Sequence, residues 1–168
     1  MNENLFNNND MLELQNLLRE HKKTITVAES CTGGLVASLI TKVSGSSDIF
    51  NGSIVTYSNK IKNQELHVKN ETLESFGAVS IEVVSEMLDG VIKKFEADFA
   101  IAISGIAGPT GGTQNKPVGS VVIGISNNGN NKKIDIYNFN GTREEVQIKA
   151  AKTSLKEFSK FLQNTLDK

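Results

Sequence analysis

Two spacings of apolar residues alternate along this chain, and each indicates one kind of secondary structure. Short β-branched or continuous apolar runs have the length of strands, whereas longer stretches repeat apolar residues every three or four positions, as one face of a helix does. This order predicts an α/β layered domain with a partly parallel central sheet and one antiparallel hairpin, which turns at residues 127–130. The predicted strands are residues 24–27, 54–57, 99–103, 118–125 and 133–139, and the predicted helices are residues 10–22, 32–43, 59–68, 80–95 and a last helix from Thr142.

Polar residues in front of the apolar repeats mark where helices begin. Asp10 is the expected N-cap of the first helix and Ser80 that of the fourth, and residues 142–145 fit a capping box. Residues 1–9 are mostly asparagine and are predicted to be a disordered N-terminal tail. Because no repeat or interior linker divides the rest of the chain, residues 10–168 are predicted to form a single domain.

The composition is that of an ordinary globular protein and argues against several functions. Among 168 residues, 18 Lys and Arg balance 19 Asp and Glu, which disfavours a general nucleic-acid binder. The N-terminus has no apolar core of signal type, and no run approaches the ~20 residues that span a bilayer, so no membrane association is expected. One cysteine and two histidines exclude an internal disulfide and disfavour a zinc site, so a cytoplasmic protein without a metal is expected.

Three polar or glycine-containing segments follow predicted strands. They are residues 30–34, residues 57–62 and residues 104–112. In sheets of this kind, ligands bind outside the carboxyl ends of the strands. The three segments therefore predict a shared site at one edge of the sheet.

The first of these segments is a tight strand-to-helix turn that carries Ser30, Cys31 and Thr32. A helix N-terminus offers unpaired N–H groups that can hold a phosphate or an oxyanion, and the adjacent Gly33 and Gly34 allow a substrate to approach the backbone closely. On a plainer interpretation, Ser30 or Thr32 simply caps the helix. Cys31 is either a nucleophile activated by the helix N-terminus or an inert, buried thiol.

A partner for a serine nucleophile has to come from histidine or lysine. His21 and His67 lie in amphipathic helices, where surface or packing roles are the ordinary interpretation, so a Ser–Lys pair is the remaining option. Lys62 lies about one turn into the helix after the second strand, and Lys60 competes with it. Tyr57 is either an aromatic residue at a strand end or a member of the Ser–Lys proton relay.

The third segment is rich in glycine but matches no standard phosphate motif. Residues 105–112 lack the Lys-Ser or Lys-Thr ending of a Walker P-loop and the spacing of the dinucleotide fingerprint. The loop either wraps a phosphate or ribose with backbone N–H groups or is a long turn. Lys116 and Arg143 are candidate contacts for an anionic substrate. An arginine in the first turn of a helix opposes the helix dipole, which favours a functional reason for Arg143.

Six short motifs occur in one order and cover about residues 11–166. Together they closely resemble the C-terminal domain of the competence/damage-inducible CinA family, which includes stand-alone nicotinamide-nucleotide amidases, also called NMN deamidases. The motifs are AESCTGG (28–34), GSS (45–47), VTYSN with a following lysine (55–62), GAVS (77–80), SGIAGPTGG (104–112) and KPVGSV (116–121).

This resemblance implies a three-layer α/β/α sandwich with a mixed, partly parallel sheet. It implies hydrolysis of nicotinamide mononucleotide (NMN) to nicotinic acid mononucleotide and ammonia, without a cofactor, in cytoplasmic pyridine-nucleotide (NAD) salvage, and a homodimer is a further expectation. By motif, Ser30 is the expected nucleophile, Lys62 its general base and Tyr57 a partner in proton transfer. The expected substrate contacts are Cys31, Thr32, Gly33, Gly34, Ser47, Asn59, Ser104, Gly105, Gly108, Lys116 and Arg143.

Three departures from the family pattern leave alternatives open. Ser104 stands where many relatives have threonine, Lys60 stands where an acidic residue is common, and residues 140–142 differ from the Gly-Asp that often precedes Arg143. A catalytically silent module that binds a nucleotide or a protein partner is therefore an alternative. An amidase that acts on another carboxamide is a third.

Overall fold

The computed structural model describes residues 5–128 and 130–168, which contain five strands and six α-helices. The strands form one sheet in the order β2-β1-β3-β4-β5. The elements along the chain are α1 (Asn8–Glu20), β1 (Ile25–Glu29), α2 (Leu35–Thr41), a 3-10 turn (Ser46–Asp48), β2 (Phe50–Val55), α3 (Asn59–Leu66), α4 (Asn70–Phe76), α5 (Ile81–Phe95), β3 (Phe99–Gly105), β4 (Ser120–Asn127), β5 (Asn131–Asn138) and α6 (Arg143–Leu166).

The sheet is parallel on one side and antiparallel on the other. β1 pairs in parallel with both β2 and β3, so that Glu29 lies opposite Val55 on one neighbour and Ile103 on the other. β4 and β5 run antiparallel to their neighbours. The carboxyl ends of the three parallel strands therefore meet at one edge of the sheet, as the sequence predicts.

Helices cover both faces of the sheet and complete the three-layer α/β/α sandwich. Successive strand residues point to opposite faces. Val27 and Ile101 belong to the core beneath α1, α2 and α6, whereas Ala28 and Ala102 belong to the core beneath α3, α4 and α5. Because β3 is covered on both sides, its predicted run from Phe99 to Ile103 is buried throughout.

The predicted disordered tail is wrong for residues 5–9, and residues 1–4 lie outside the described residues. Phe6 is buried in the core, and Asn7 is the N-cap of α1, where its side chain accepts hydrogen bonds from the N–H groups of Asn9 and Asp10. Asp10, the predicted N-cap, instead accepts a hydrogen bond from the Asn7 N–H at 2.8 Å and so completes a capping box. Asparagine is itself one of the best N-cap residues, and the asparagine run supplies the cap.

Several element bounds also differ from the prediction. β2 comprises Phe50–Val55 rather than residues 54–57, because the Thr56 N–H makes the last bond to β1, at the Glu29 carbonyl, and Tyr57 lies beyond it. β3 continues to Gly105, so Ser104 belongs to a strand and not to the following loop. α4 is absent from the elements predicted above. No helix among the described residues is long and apolar enough to cross a bilayer.

The helix that carries Lys62 lies unusually close to its neighbour. A Cβ atom at Gly90 of α5 would stand 2.2 Å from the Leu66 carbonyl oxygen of α3. No side chain fits there, so a glycine at this position sets the distance between the two helices. Lys62 lies one helical turn before Leu66, and the same contact therefore fixes its depth.

We expect Gly90→Ala to lower the free energy of unfolding by about 1–3 kcal/mol, the usual cost of overpacking a close contact. Helix propensity alone would favour alanine over glycine here by about 1 kcal/mol, so the expected loss of stability has the opposite sign to the propensity effect. Urea denaturation measures the difference. Lys93→Ala, at an exposed position of the same helix, is the control and should change stability by less than about 0.5 kcal/mol. A Gly90→Ala protein as stable as the wild type would contradict the close approach.

Candidate active site

A buried lysine contacts the serine of the strand-to-helix turn. Lys62 Nζ donates one hydrogen bond to Ser30 Oγ, at 3.0 Å, and a second to the Thr56 carbonyl oxygen, at 2.8 Å. The Lys62 side chain is 1% exposed, and the Ser30 N–H is anchored to the Ile103 carbonyl of β3 at 3.0 Å. Ser58 caps α3 through a hydrogen bond from the Ile61 N–H, which fixes the start of the helix that carries the lysine.

Burial changes the protonation of this lysine. Removal of the ammonium group from water lowers the pKa of Lys62 from 10.5 to about 8. About one tenth of the side chains are then neutral at pH 7, which is about 300-fold more than for a lysine with a pKa of 10.5. A neutral amine beside a hydroxyl can accept its proton, so the pair has the chemistry of a general base and a nucleophile.

The orientation of α3 distinguishes the two candidate lysines, Lys60 and Lys62. Lys60 is exposed, whereas Lys62 is buried against Ser30. Residues two positions apart on a helix point about 200° away from each other around its axis, so Lys60 and Lys62 cannot both face the sheet. The lysine that contacts Ser30 is therefore Lys62.

Cys31 follows Ser30 directly but has the opposite electrostatic character. Its thiol is buried, and burial raises its pKa from 9.0 to about 12. The thiolate, which is the reactive form, is therefore scarce at neutral pH. The geometry favours the interpretation of Cys31 as an inert, buried thiol.

The helix after this turn is held by the Glu29 side chain, which is not among the predicted site residues. Glu29 is fully buried, and its carboxylate accepts hydrogen bonds from the N–H groups of Val36 and Ala37 at 2.9 and 3.1 Å. The N-cap position itself is Gly34, in the left-handed conformation, so the prediction that Ser30 or Thr32 caps α2 is wrong. The sequence does carry a signal for this role of Glu29. A single carboxylate in an apolar strand, just before a helix whose first N–H groups lack partners, is expected to accept hydrogen bonds from them.

The turn between Glu29 and α2 keeps N–H groups available. Within the described part of the chain, the N–H groups of Thr32 and Gly34 donate to no carbonyl or side-chain oxygen, whereas the Cys31 N–H interacts with its own thiol sulfur. Gly33, by contrast, donates to the Ser30 carbonyl at 3.0 Å. Free N–H groups next to a nucleophile are the usual donors of an oxyanion hole.

Ser30 and Lys62 open into a cavity of about 250 Å³ at the carboxyl edge of the sheet. Asn59, Gly105, Gly108 and Ser104, four of the predicted substrate contacts, lie in its walls, and Ser104 Oγ donates to the Ala78 carbonyl at 2.7 Å. The complete lining is Ser30, Cys31, Tyr57, Asn59, Lys62, Ala78, Val79, Ser104, Gly105, Ile106, Ala107, Gly108, Thr110, Gly111 and Arg143.

Tyr57 and Arg143 pair with each other across this cavity. Arg143 donates from one guanidinium nitrogen to the Tyr57 hydroxyl and from the other to the Gly108 carbonyl, both at 2.7 Å. The Tyr57 side chain is 59% exposed, and among the described residues no hydrogen bond joins its hydroxyl to Ser30 or Lys62. The predicted membership of Tyr57 in the Ser–Lys relay is thus not seen in the hydrogen bonding, although Tyr57 does line the cavity.

Five other predicted substrate contacts lie outside this cavity. Thr32, Gly33 and Gly34 line a neighbouring cavity of about 510 Å³ between α2 and α6. Ser47 lies in the 3-10 turn before β2, at the amino edge of the sheet, because Phe50 pairs with Ile25 at the start of β1. Lys116 Nζ donates to the Phe76 carbonyl at 2.6 Å, at the end of α4.

The fold and the site define the class of protein: an α/β/α domain with a buried Ser–Lys pair at the carboxyl edge of its sheet. Residues 8–162 match the model of the CinA C-terminal domain, and the chain belongs to this family. The resemblance inferred from the motifs is thereby confirmed. Within residues 5–128 and 130–168, no cluster of histidine, cysteine or carboxylate side chains could hold a metal ion.

Curated relatives are similar to this chain over only part of their own length. A CinA-like protein from Thermotoga neapolitana is 49% identical over 146 residues, which are 87% of this chain and 35% of that protein. A CinA-like protein from Syntrophomonas wolfei is 51% identical over 142 residues, which are 84% of this chain and 34% of the relative. The chain thus spans about a third of the length of these relatives.

Solved structures of the family have the same fold. The competence damage-inducible protein A (ComA) from Klebsiella pneumoniae superimposes with a TM-score of 0.88 at 34% identity, covering 91% of this chain and 94% of that one. The competence/damage inducible protein CihA from Agrobacterium tumefaciens gives a TM-score of 0.85 at 35% identity, over 95% and 98% of the two chains. The predicted α/β/α architecture is confirmed by these similarities.

We expect Cys31 of the folded protein to resist thiol reagents. Three pKa units between 9.0 and about 12 lower the thiolate fraction at pH 8 about 1,000-fold, before steric protection is added. Because the chain has one cysteine, the absorbance released by an aromatic disulfide reagent reports this residue alone. The same protein in denaturant is the control and should react at the rate of a free thiol. Rapid labelling without denaturant would show an accessible, activated thiol and contradict the assignment.

Proposed function

We propose that this domain is an amidohydrolase, a nicotinamide-nucleotide amidase that hydrolyses the carboxamide of NMN to nicotinic acid mononucleotide and ammonia. The observation that carries the proposal is the buried Lys62 amine, with a pKa of about 8, at 3.0 Å from Ser30 Oγ. Such an amine can remove a hydroxyl proton near neutral pH. The choice of substrate rests on the resemblance to NMN deamidases and places the reaction in cytoplasmic pyridine-nucleotide salvage.

The first half of the reaction forms an acyl-enzyme. Lys62 accepts the Ser30 proton while Oγ forms a bond to the carboxamide carbon, and the carbonyl oxygen becomes an oxyanion. The Thr32 N–H, which donates to no oxygen within the described residues, is two residues from Ser30 along the chain and is the proposed donor to this oxyanion. The Lys62 ammonium then returns its proton to the amide nitrogen, the C–N bond breaks, and ammonia leaves.

The second half of the reaction hydrolyses the acyl-enzyme, and Lys62 again acts first as a base and then as an acid. A water molecule gives its proton to the neutral Lys62 amine as its oxygen forms a bond to the acyl carbon. The ester bond to Ser30 breaks, and the lysine returns the proton to Oγ. The nicotinic acid nucleotide leaves, and both side chains regain their starting protonation states.

The charge at the rim of the cavity supports an anionic substrate. Arg143 brings a permanent positive charge to the cavity, and its guanidinium group is now held by a neutral hydroxyl and a carbonyl oxygen. A guanidinium group binds phosphate more strongly than it binds such neutral acceptors. A nucleoside monophosphate can therefore form an ion pair between its phosphate and Arg143, whereas free nicotinamide has no anionic group to offer.

We expect Ser30→Ala and Lys62→Ala to lower kcat/KM for ammonia release from NMN by about 10³-fold or more, because each removes one member of the reacting pair. Lys60→Ala is the matched control on the same helix and should stay within about twofold of wild type, since Lys60 is exposed. Full activity in Ser30→Ala would refute the mechanism. NMN binding by the wild type without turnover would instead support the alternative of a silent nucleotide-binding module.

The pH dependence should report the same lysine. Only the neutral amine can accept a proton, and the neutral fraction rises with pH up to the pKa of about 8. We therefore expect kcat/KM to rise about tenfold per pH unit below pH 8 and to level off above it. Initial rates between pH 6.5 and 9.5 measure the profile, and Lys60→Ala should reproduce it. A flat or falling profile over this range would contradict Lys62 as the general base.

A further inference from the structure

We infer that Gln147 is a positioning residue that orients the backbone of the Ser30 turn for oxyanion binding, an inference that rests on the proposed function. Gln147 lies on α6, and its Nε2 donates a hydrogen bond to the Cys31 carbonyl oxygen at 2.9 Å. The two residues are 116 positions apart in the chain. A carbonyl oxygen can only accept, so the NH₂ end of the amide has to face it.

The turn is held from both faces of the sheet. α6 and α2 lie on one face, and α3, which brings Lys62 to Ser30, lies on the other. Gln147 therefore contacts the turn from the side opposite to the lysine. Arg143, one helical turn before Gln147, reaches the substrate cavity from the same helix.

The hydrogen bond from Gln147 fixes the orientation of one peptide group. In a trans peptide the carbonyl and the following N–H point in opposite directions. Because the Cys31 carbonyl points to α6, the Thr32 N–H points away from α6, and it donates to no oxygen within the described residues. The hydrogen bond from the Gly33 N–H to the Ser30 carbonyl, at 3.0 Å, closes a turn around this peptide group, but type I and type II turns share that closing bond and differ in the orientation of the central peptide group. Loss of the Gln147 amide thus frees this peptide group to rotate.

The other end of the turn has its own anchor. Glu29 holds the N–H groups of Val36 and Ala37, beyond the two glycines of the turn. The helix start is therefore fixed without Gln147, and removal of the Gln147 amide affects chiefly the Cys31–Thr32 peptide group. A donor that is aligned only for the oxyanion stabilises the transition state more than the bound substrate, so its loss should lower kcat and spare KM.

The first experiment compares Gln147→Met, which keeps the length of the side chain without a donor, with Gln147→Glu, which presents only acceptors to the carbonyl. We expect kcat for NMN hydrolysis to fall about 10- to 100-fold in Gln147→Met and further in Gln147→Glu, with KM within about twofold of wild type. Glu144→Ala, at an exposed position one turn earlier on α6, is the control and should keep wild-type values.

A packing role for Gln147 predicts a different pattern. In that case the thermal midpoint falls while kcat, measured well below that midpoint, stays at the wild-type value, and the isosteric Gln147→Glu is the milder change. That result would overturn the inference. In Gln147→Met, kcat/KM should still rise with pH and level off above about pH 8, because the substitution leaves the contacts of Lys62 unchanged.

The second experiment does not depend on the substrate assignment. An alkyl fluorophosphonate reacts with an activated serine when Oγ forms a bond to phosphorus, the P–F bond breaks, fluoride leaves and Lys62 takes the proton. Mass spectrometry locates the adduct and gives the rate. We expect the adduct at Ser30, formed at least about tenfold more slowly in Gln147→Met than in wild type or Glu144→Ala.

The two experiments separate the two proposals. Labelling of Ser30 that slows in Gln147→Met, without hydrolysis of NMN by the wild type, would refute the proposed substrate and support the positioning role. Equal labelling rates in wild type and Gln147→Met would overturn the positioning role while the amidase proposal stands. Absence of any adduct at Ser30 in the wild type would overturn both, because no activated hydroxyl would be present to position.

Discussion

The burial of one lysine ammonium group is the constraint on which the site depends. Water stabilises an ammonium ion strongly, and few groups replace that water here: Ser30 Oγ and the Thr56 carbonyl oxygen. The cost of burial is expressed as a pKa of about 8 for Lys62. The same cost supplies the reactivity, since a fully solvated lysine would remain protonated at neutral pH. A fold that hides this side chain has to hold its helix firmly against the sheet.

A short chain of hydrogen bonds that includes Glu29 holds α3 against the sheet. The Glu29 carbonyl accepts from the Thr56 N–H at 2.8 Å, the Thr56 carbonyl accepts from Lys62, and Lys62 donates to Ser30, which follows Glu29 in the chain. The Glu29 side chain meanwhile holds the start of α2. One residue thus joins the end of β2, the lysine and the turn. The sequence motif that contains Glu29 and Ser30 is therefore as much structural as chemical.

Patterns local in sequence could be predicted, and contacts between distant segments could not. The apolar run of β3, the Ser80 cap of α5 and the capping box at Thr142 follow from nearest neighbours along the chain, and all three are present. Which of Lys60 and Lys62 faces Ser30 depends on how α3 is rotated about its axis, and only the structure gives that rotation. The position of Ser47 depends on which edge of the sheet its segment reaches, and motif order carries no information about that.

Burial shifts the pKa values of Cys31 and Lys62 in opposite directions, because it disfavours the charged form of each side chain. It raises the pKa of the thiol to about 12 and lowers that of the amine to about 8, because both charged forms lose water. In the fraction of molecules whose Lys62 amine is neutral, a proton transfer from Ser30 to Lys62 would create two charges where neither group carried one. In a buried site such new charges interact strongly with oriented N–H groups and with each other. Lys62 Nζ contacts the Ser30 hydroxyl, and within the described residues no hydrogen bond joins it to the Cys31 sulfur, so the hydroxyl is the group placed to give its proton to the amine.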